Sequence, residues 1–132
     1  MKTVFALLLT ITCFGCGGYS SPNQSSQPGI VPAITAIMPN SVFHGGSDFT
    51  LTVTGNKFNG NAVVNWNGTP QPNTTMPMVN TLSAVIPAAD IATAGTAQVS
   101  VTNPGSSTPG GPYGGGSSTP SETSNNVTFT IN

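Results

Sequence analysis

From residue 33 onward, apolar and polar side chains alternate in short runs, and each run stops at turn-forming residues. Asp48 to Thr54 is the plainest case: Phe49, Leu51 and Val53 fall on one face, Thr50, Thr52 and Thr54 on the other. Successive side chains of a strand point to opposite faces, so this period of two predicts a strand with one face buried. The same pattern predicts strands at Ala33–Ile37, at Ala62–Trp66 with Ala62, Val64 and Trp66 together, and at Thr81–Ile86 with Leu82, Ala84 and Ile86 together. It recurs at Thr96–Thr102, through Ala97, Val99 and Val101, and at Val127–Ile131, through Val127, Phe129 and Ile131. Pro39-Asn40-Ser41, His44-Gly45-Gly46-Ser47, Gly55-Asn56, Asn59-Gly60 and Asn67-Gly68 separate the runs with the residue types that turns require. No helical spacing extends beyond Ala88–Thr93. Six or seven one-faced strands with a turn signal about every ten residues predict an all-β fold of two sheets around one core.

Two places in this pattern raise questions of function. Trp66 shares its face with Ala62 and Val64, which makes it a core residue; the other reading is an exposed ring on which a sugar could stack. Between the strands ending near Thr102 and resuming near Asn125 lies a Gly/Ser/Pro-rich segment, 103–124, centred on Gly110-Gly111-Pro112-Tyr113-Gly114-Gly115-Gly116. A connection of that length is either functional or irregular. As an irregular insertion it is tolerated because loop-closure entropy grows slowly with length. As a functional one it carries Tyr113 as an aromatic contact on an adaptable arm.

The first eighteen residues obey a different rule. Lys2 is followed by an apolar stretch from Val4 to Ile11, broken only by Thr10, and then by Cys13-Phe14-Gly15-Cys16-Gly17-Gly18. This is a charged start, an apolar centre and a small-residue cleavage region, too short to span a bilayer as a helix. With a cysteine directly after the small Gly15, the segment resembles a bacterial lipoprotein signal, although Cys13 stands where such signals usually carry leucine. The resemblance implies removal of residues 1–15, acylation of Cys16, and a protein of the cell envelope, at the outer membrane or cell surface; without acylation the chain is secreted. Residues 16–31 hold Ser, Pro, Asn, Gln and Gly with few apolar side chains, which predicts a flexible tether. The stretch from Tyr19 to Pro32 has a reach of about 45 Å extended and about 20 Å as a coil. Residues 32–132 remain for a single domain.

Charge narrows the functions open to that domain. Charged residues are 4% of the chain, and once the leader is removed only Lys57 stands against Asp48, Asp90 and Glu122. Phosphate recognition needs clustered Lys and Arg, so nucleic acid is excluded as a partner. The same scarcity leaves an acyl chain as the hold on a membrane. Catalytic means are equally thin. His44 with Asp48 or Asp90 is the one arrangement resembling a charge or metal cluster, and turn or capping roles account for all three residues. No phosphate-cradling glycine loop is present, since the Gly-rich segment lacks the lysine and following helix. A Cys13/Cys16 redox or metal pair would need a folded context and further ligands. The expectation is a non-enzyme with no cofactor and no metal.

The order of motifs carries a second resemblance. Pro32-Ala33-Ile34-Thr35-Ala36-Ile37-Met38-Pro39-Asn40-Ser41, then Gly45-Gly46 and Phe49 to Gly55, are similar to the opening of an IPT/TIG domain. So are Phe58, Val64-Asn65-Trp66-Asn67-Gly68, the run Ile86 to Gly95, and the closing Val99-Ser100-Val101-Thr102-Asn103-Pro104 and Asn126 to Ile131. The resemblance implies an immunoglobulin-like β-sandwich of about seven strands, in a family that serves in surface receptors, carbohydrate-active enzymes and DNA-binding transcription factors. For this chain it implies a non-catalytic binding or spacer module with a protein or glycan ligand. A carbohydrate-binding module using Tyr113 or Trp66 is the alternative. An immunoglobulin-like topology also predicts that the tether arrives at the end carrying the Gly55–Gly60 and Tyr113 loops, while Asn132 leaves at the other.

Overall fold

The computed structural model describes residues 27–132. The leader, Cys13, Cys16 and the tether as far as residue 26 lie outside the described residues. In chain order the strands are β1 (Ala33–Met38), β2 (Ser41–Val42), β3 (Phe49–Asn56), β4 (Val63–Trp66), β5 (Thr69–Pro70), β6 (Thr75–Met78) and β7 (Thr81–Ile86). A 3-10 turn at Ala88–Ile91 follows, then β8 (Gly95–Asn103), β9 (Ser106–Thr108), β10 (Ser117–Thr119), β11 (Glu122–Thr123) and β12 (Val127–Ile131).

Two sheets face each other, as the alternation predicted. One has the order β1-β3-β7-β6 and the other β2-β12-β8-β4-β5, with β11 continuing the ladder along β8. The order is that of an immunoglobulin-like sandwich. Each long strand contributes its apolar face to the core: Leu51 and Val53 from β3, and Leu82, Ala84 and Ile86 from β7, are sealed from solvent. Val64, Val99, Val101 and Phe129 meet them from the opposite sheet. The threonines of β3 take the outer face, where β-branched side chains suit the pleat without needing burial.

The short strands were not legible from alternation. After β1 the chain crosses at a cis Met38–Pro39 bond, and Ser41–Val42 joins the other sheet, parallel to β12. Edge strands expose unpaired backbone, and here side chains close part of it. The side-chain amide of Asn125 donates to the Ile34 carbonyl and accepts from the Ile34 N–H, at 3.3 and 2.9 Å, beside a break of register in β1. At β4, the Val64 N–H donates to Thr74 Oγ1 and the Val64 carbonyl accepts from the Gln71 N–H.

The register defines two ends. Ala33 opposes Asn56 and Val63 opposes Thr102, so the start of β1, the 57–62 loop and the 103–126 connection share what is here called the tether end. Phe49 opposes Ile86 and Ile131 opposes Gly95, which puts His44, the 87–94 segment and Asn132 at the far end. This is the arrangement expected from an immunoglobulin-like topology.

Candidate functional site

At the far end the titratable residues have structural tasks. Asp48 Oδ1 accepts from the Ala88 N–H at 2.8 Å, holding the start of the 3-10 turn. His44 Nδ1 donates to the Asn132 backbone oxygen at 2.7 Å, and the His44 N–H donates to the same oxygen. The Gly45 N–H reaches the Ile91 carbonyl at 2.8 Å, so the turns bearing His44 and Asp90 are neighbours, as the topology implied. Among the described residues no three His, Cys, Asp or Glu side chains converge as metal ligands. Asp48 and His44 are instead bound to backbone in roles that close the turns.

Trp66 is 3% exposed. Its ring packs 5.0 Å from Phe129 and 6.2 Å from Phe49, tilted to the first and edge-on to the second. That burial leaves no ring face for a sugar and corrects the reading of Trp66 as a stacking platform; its neighbours at period two, Ala62 and Val64, sink it into the core. Its indole N–H is buried with no acceptor among the described residues. Satisfying the aromatic packing leaves that polar cost in place.

The tether end is built differently. Asn103, 3% exposed, occupies the last position of β8. Its Nδ2 donates to the carbonyls of Ile30 and Lys57, each at 2.8 Å, and its Oδ1 accepts from the Asn59 N–H at 3.0 Å. One buried amide thus joins the arriving tether to the 57–62 loop. The tether, expected to stay loose up to 31, is already held at Ile30. Alternation contained the signal: Asn103 has the same parity as Ala97, Val99 and Val101, so a polar side chain sits on the inward face of its strand.

Beyond Asn103 the 103–124 segment is not an irregular loop. β9 and β10 pair antiparallel, Ser106 against Thr119 and Thr108 against Ser117. Hydroxyl contacts reinforce the pairing, with Ser106 Oγ 2.9 Å from Thr119 Oγ1 and Thr108 Oγ1 donating to the Ser117 carbonyl at 3.1 Å. The tip is a tight turn closed by the Gly114 N–H on the Gly111 carbonyl at 2.9 Å. Pro112 takes the second position, where its fixed φ fits, and Gly114 closes the turn with φ +82°. Tyr113 lies between them and is 100% exposed. The ribbon has scarcely an apolar side chain, so the alternation that reveals a half-buried strand is absent from it. Its pairing rests on backbone and hydroxyl bonds.

The sequence was compared with protein families, with curated proteins and with solved structures. The family model described as IPT/TIG domain matches residues 32–131. No curated protein matches, and no solved structure does.

Proposed function

The chain belongs to the IPT/TIG family of immunoglobulin-like, non-enzymatic domains, and on that premise we propose that it is a lipid-anchored envelope module presenting the 103–124 ribbon to a partner. The observation that carries this reading is Tyr113: a large aromatic side chain, fully exposed, at the tip of a hydrogen-bonded ribbon rooted in the core strand β8. An aromatic ring kept in water gains free energy when a partner covers it, and a paired ribbon has less entropy to lose on binding than an open loop. Tyrosine supplies contact area at low conformational cost, and flanking Gly and Ser let the backbone adapt. Trp66, buried, drops out of the contact set. The anchor in this proposal is an acylated Cys16, set before a polar tether, and the location is the outer membrane or cell surface.

Two experiments test the two halves separately. The intact mass of protein extracted from native membranes is expected to match a chain beginning at Cys16 plus acyl groups, and Cys16→Ser is expected to lose both the added mass and membrane retention. An unmodified chain in the medium would make the module a diffusible one. For the ribbon, Tyr113→Ala is expected to weaken capture of the partner by about tenfold or more, as truncation of an aromatic anchor does. Its effect on stability is expected to stay within about 0.5 kcal/mol, because the residue packs on nothing. Whole-cell crosslinking read against a glycan panel separates the protein ligand from the glycan one. A module that captures neither, with and without Tyr113, would be a spacer.

The exposed phenol also favours a glycan ligand as second reading, since one open ring face suffices for stacking on a sugar. In that case binding is expected to survive Tyr113→Trp and to fail in Tyr113→Ala.

A further inference from the structure

Two Asn-Gly pairs stand in this chain, Asn59-Gly60 and Asn67-Gly68, and the fold treats them differently. Asparagine before glycine is open to spontaneous loss of its side-chain amide, because the glycine nitrogen can reach the amide carbon with no Cβ in the way. In a folded chain the outcome depends on where the side chain is held.

Asn67 is held away from its neighbour. Its φ is 49° and that of Gly68 is 81°, the left-handed pair of a tight hairpin turn between β4 and β5. In that region of backbone space the next nitrogen lies anti to Cβ, so Gly68 N faces away from the Asn67 side chain. Asn67 Oδ1 accepts from the Gln98 N–H and the Asn67 N–H donates to the Gln98 carbonyl, both at 2.8 Å. Side chain and backbone are thus both fixed to β8.

Asn59 is held in the opposite sense. Its Oδ1 accepts from the Asn61 N–H, two residues on, at 3.0 Å. The ring closed by that bond contains both the Asn59 amide carbon and the Gly60 nitrogen, so the side chain is folded over the backbone atom that would attack it. The same N–H polarises the amide carbonyl and sits where negative charge would collect on Oδ1 during attack. Gly60 is exposed, and a Cβ built on it would meet nothing within 4 Å, so there is room for a ring to close and water to open it.

We propose that Asn59 is a site of spontaneous deamidation, with water as the co-reactant, and that its conversion loosens the clip at Asn103. The Gly60 nitrogen forms a bond to Asn59 Cγ and loses its proton; the side-chain amide nitrogen takes that proton and leaves as ammonia. A cyclic imide remains, and water opens it at either carbonyl to give aspartate or isoaspartate. In isoaspartate the main chain runs through the former side chain and is longer by a methylene. The Asn59 N–H is one of the groups joined by Asn103, 3.0 Å from its Oδ1. A lengthened main chain and a new carboxylate there disturb that bond, and with it the hold on Ile30.

The test ages the purified full chain at mildly alkaline pH and maps both peptides by mass, with the same chain aged in guanidinium chloride as reference. In denaturant the two sites are expected to convert at similar rates. In the folded chain Asn59 is expected to outpace Asn67 by about tenfold or more, since positioning helps one site and opposes the other. Gly60→Ala, for which the fold has room, is expected to slow conversion at Asn59 and leave Asn67 unchanged. Ion exchange separates converted chains by their added charge. These are expected to be cut near Pro32 about threefold faster than unconverted ones, because the clip opens locally more often. Conversion of Asn67 as fast as that of Asn59 in the folded chain, or arrest of both, would overturn the site. Equal cleavage of converted and unconverted chains would overturn its link to the clip.

Discussion

Truncating Phe129 to alanine is expected to lower the stability of the domain by about 3–5 kcal/mol, the range for deleting a buried aromatic side chain. The ring is fully buried, stacked 5.4 Å from Phe49 and tilted 5.0 Å from Trp66, and it lies where β12 faces the opposite sheet. Removing it forfeits the transfer of the ring from water and leaves a cavity that the surrounding strands, held by their ladders, cannot close. A domain of roughly 100 residues has about 5–15 kcal/mol in total, so the variant would retain a narrow margin. The urea midpoint is expected to fall with the slope unchanged. Trp66 emission is expected to shift to the red, because its ring leans on the one removed. Phe129→Leu, which fills most of the space, should cost less than half as much. A midpoint that does not move in Phe129→Ala would mean that the three rings are not packed as described.

The second large effect is expected at Asn103. In Asn103→Ala the carbonyls of Ile30 and Lys57 and the N–H of Asn59 lose their partner together. Each buried group left unpaired costs about 1–3 kcal/mol; since the site lies at an end of the sandwich and water can reach part of it, a total of about 3 kcal/mol is expected. Asn103→Asp separates shape from hydrogen bonding. The carboxylate keeps the size and can accept from Asn59, but it cannot donate to the two carbonyls and brings a charge into a buried place. Burial and the facing carbonyl oxygens raise the folded pKa of that carboxyl above its unfolded value. Its folded state is therefore favoured below the unfolded pKa and loses that advantage as pH rises through the folded one. Asn103→Asp should thus be at least as damaging as Asn103→Ala at neutral pH and recover on acidification, with Asn103→Ala insensitive to pH. Limited proteolysis offers an independent readout, since release of Ile30 should make the chain near Pro32 cleavable before the sandwich unfolds.

Much of the fold was legible because strand alternation is a local property. Leu51 and Val53 are buried and Thr50 and Thr54 exposed for a reason contained in seven residues, and the same holds for β7 and β12. The scarcity of charge and the motif order of Pro32 to Ile131 pointed to a non-enzymatic immunoglobulin-like module, and the family match covers that span. The strands that escaped notice have no alternation to detect. Ser41–Val42 and Thr69–Pro70 are two-residue pairings, and the Ser106–Thr119 ribbon is polar on both faces.

The candidate site was legible only in part. Tyr113 stood out as a bulky ring among glycines, and its exposure follows from that setting. Trp66 was open to two readings until the opposite sheet was in place, since parity says which residues share a face but not what covers it. The sequence by itself determined which residues prefer the inside of a strand and how few charged side chains the chain carries. Tertiary structure alone decided that Asn103 and Asn125 act as clips, because their partners lie 73 and 91 residues away along the chain. It also decided that the side chain of Asn67 is held by the backbone of Gln98, 31 residues on. The physical reason is the same in both cases: alternation is a repulsion from or attraction to water felt by each residue alone, whereas a clip or a surface exists only when folding brings distant segments to one place.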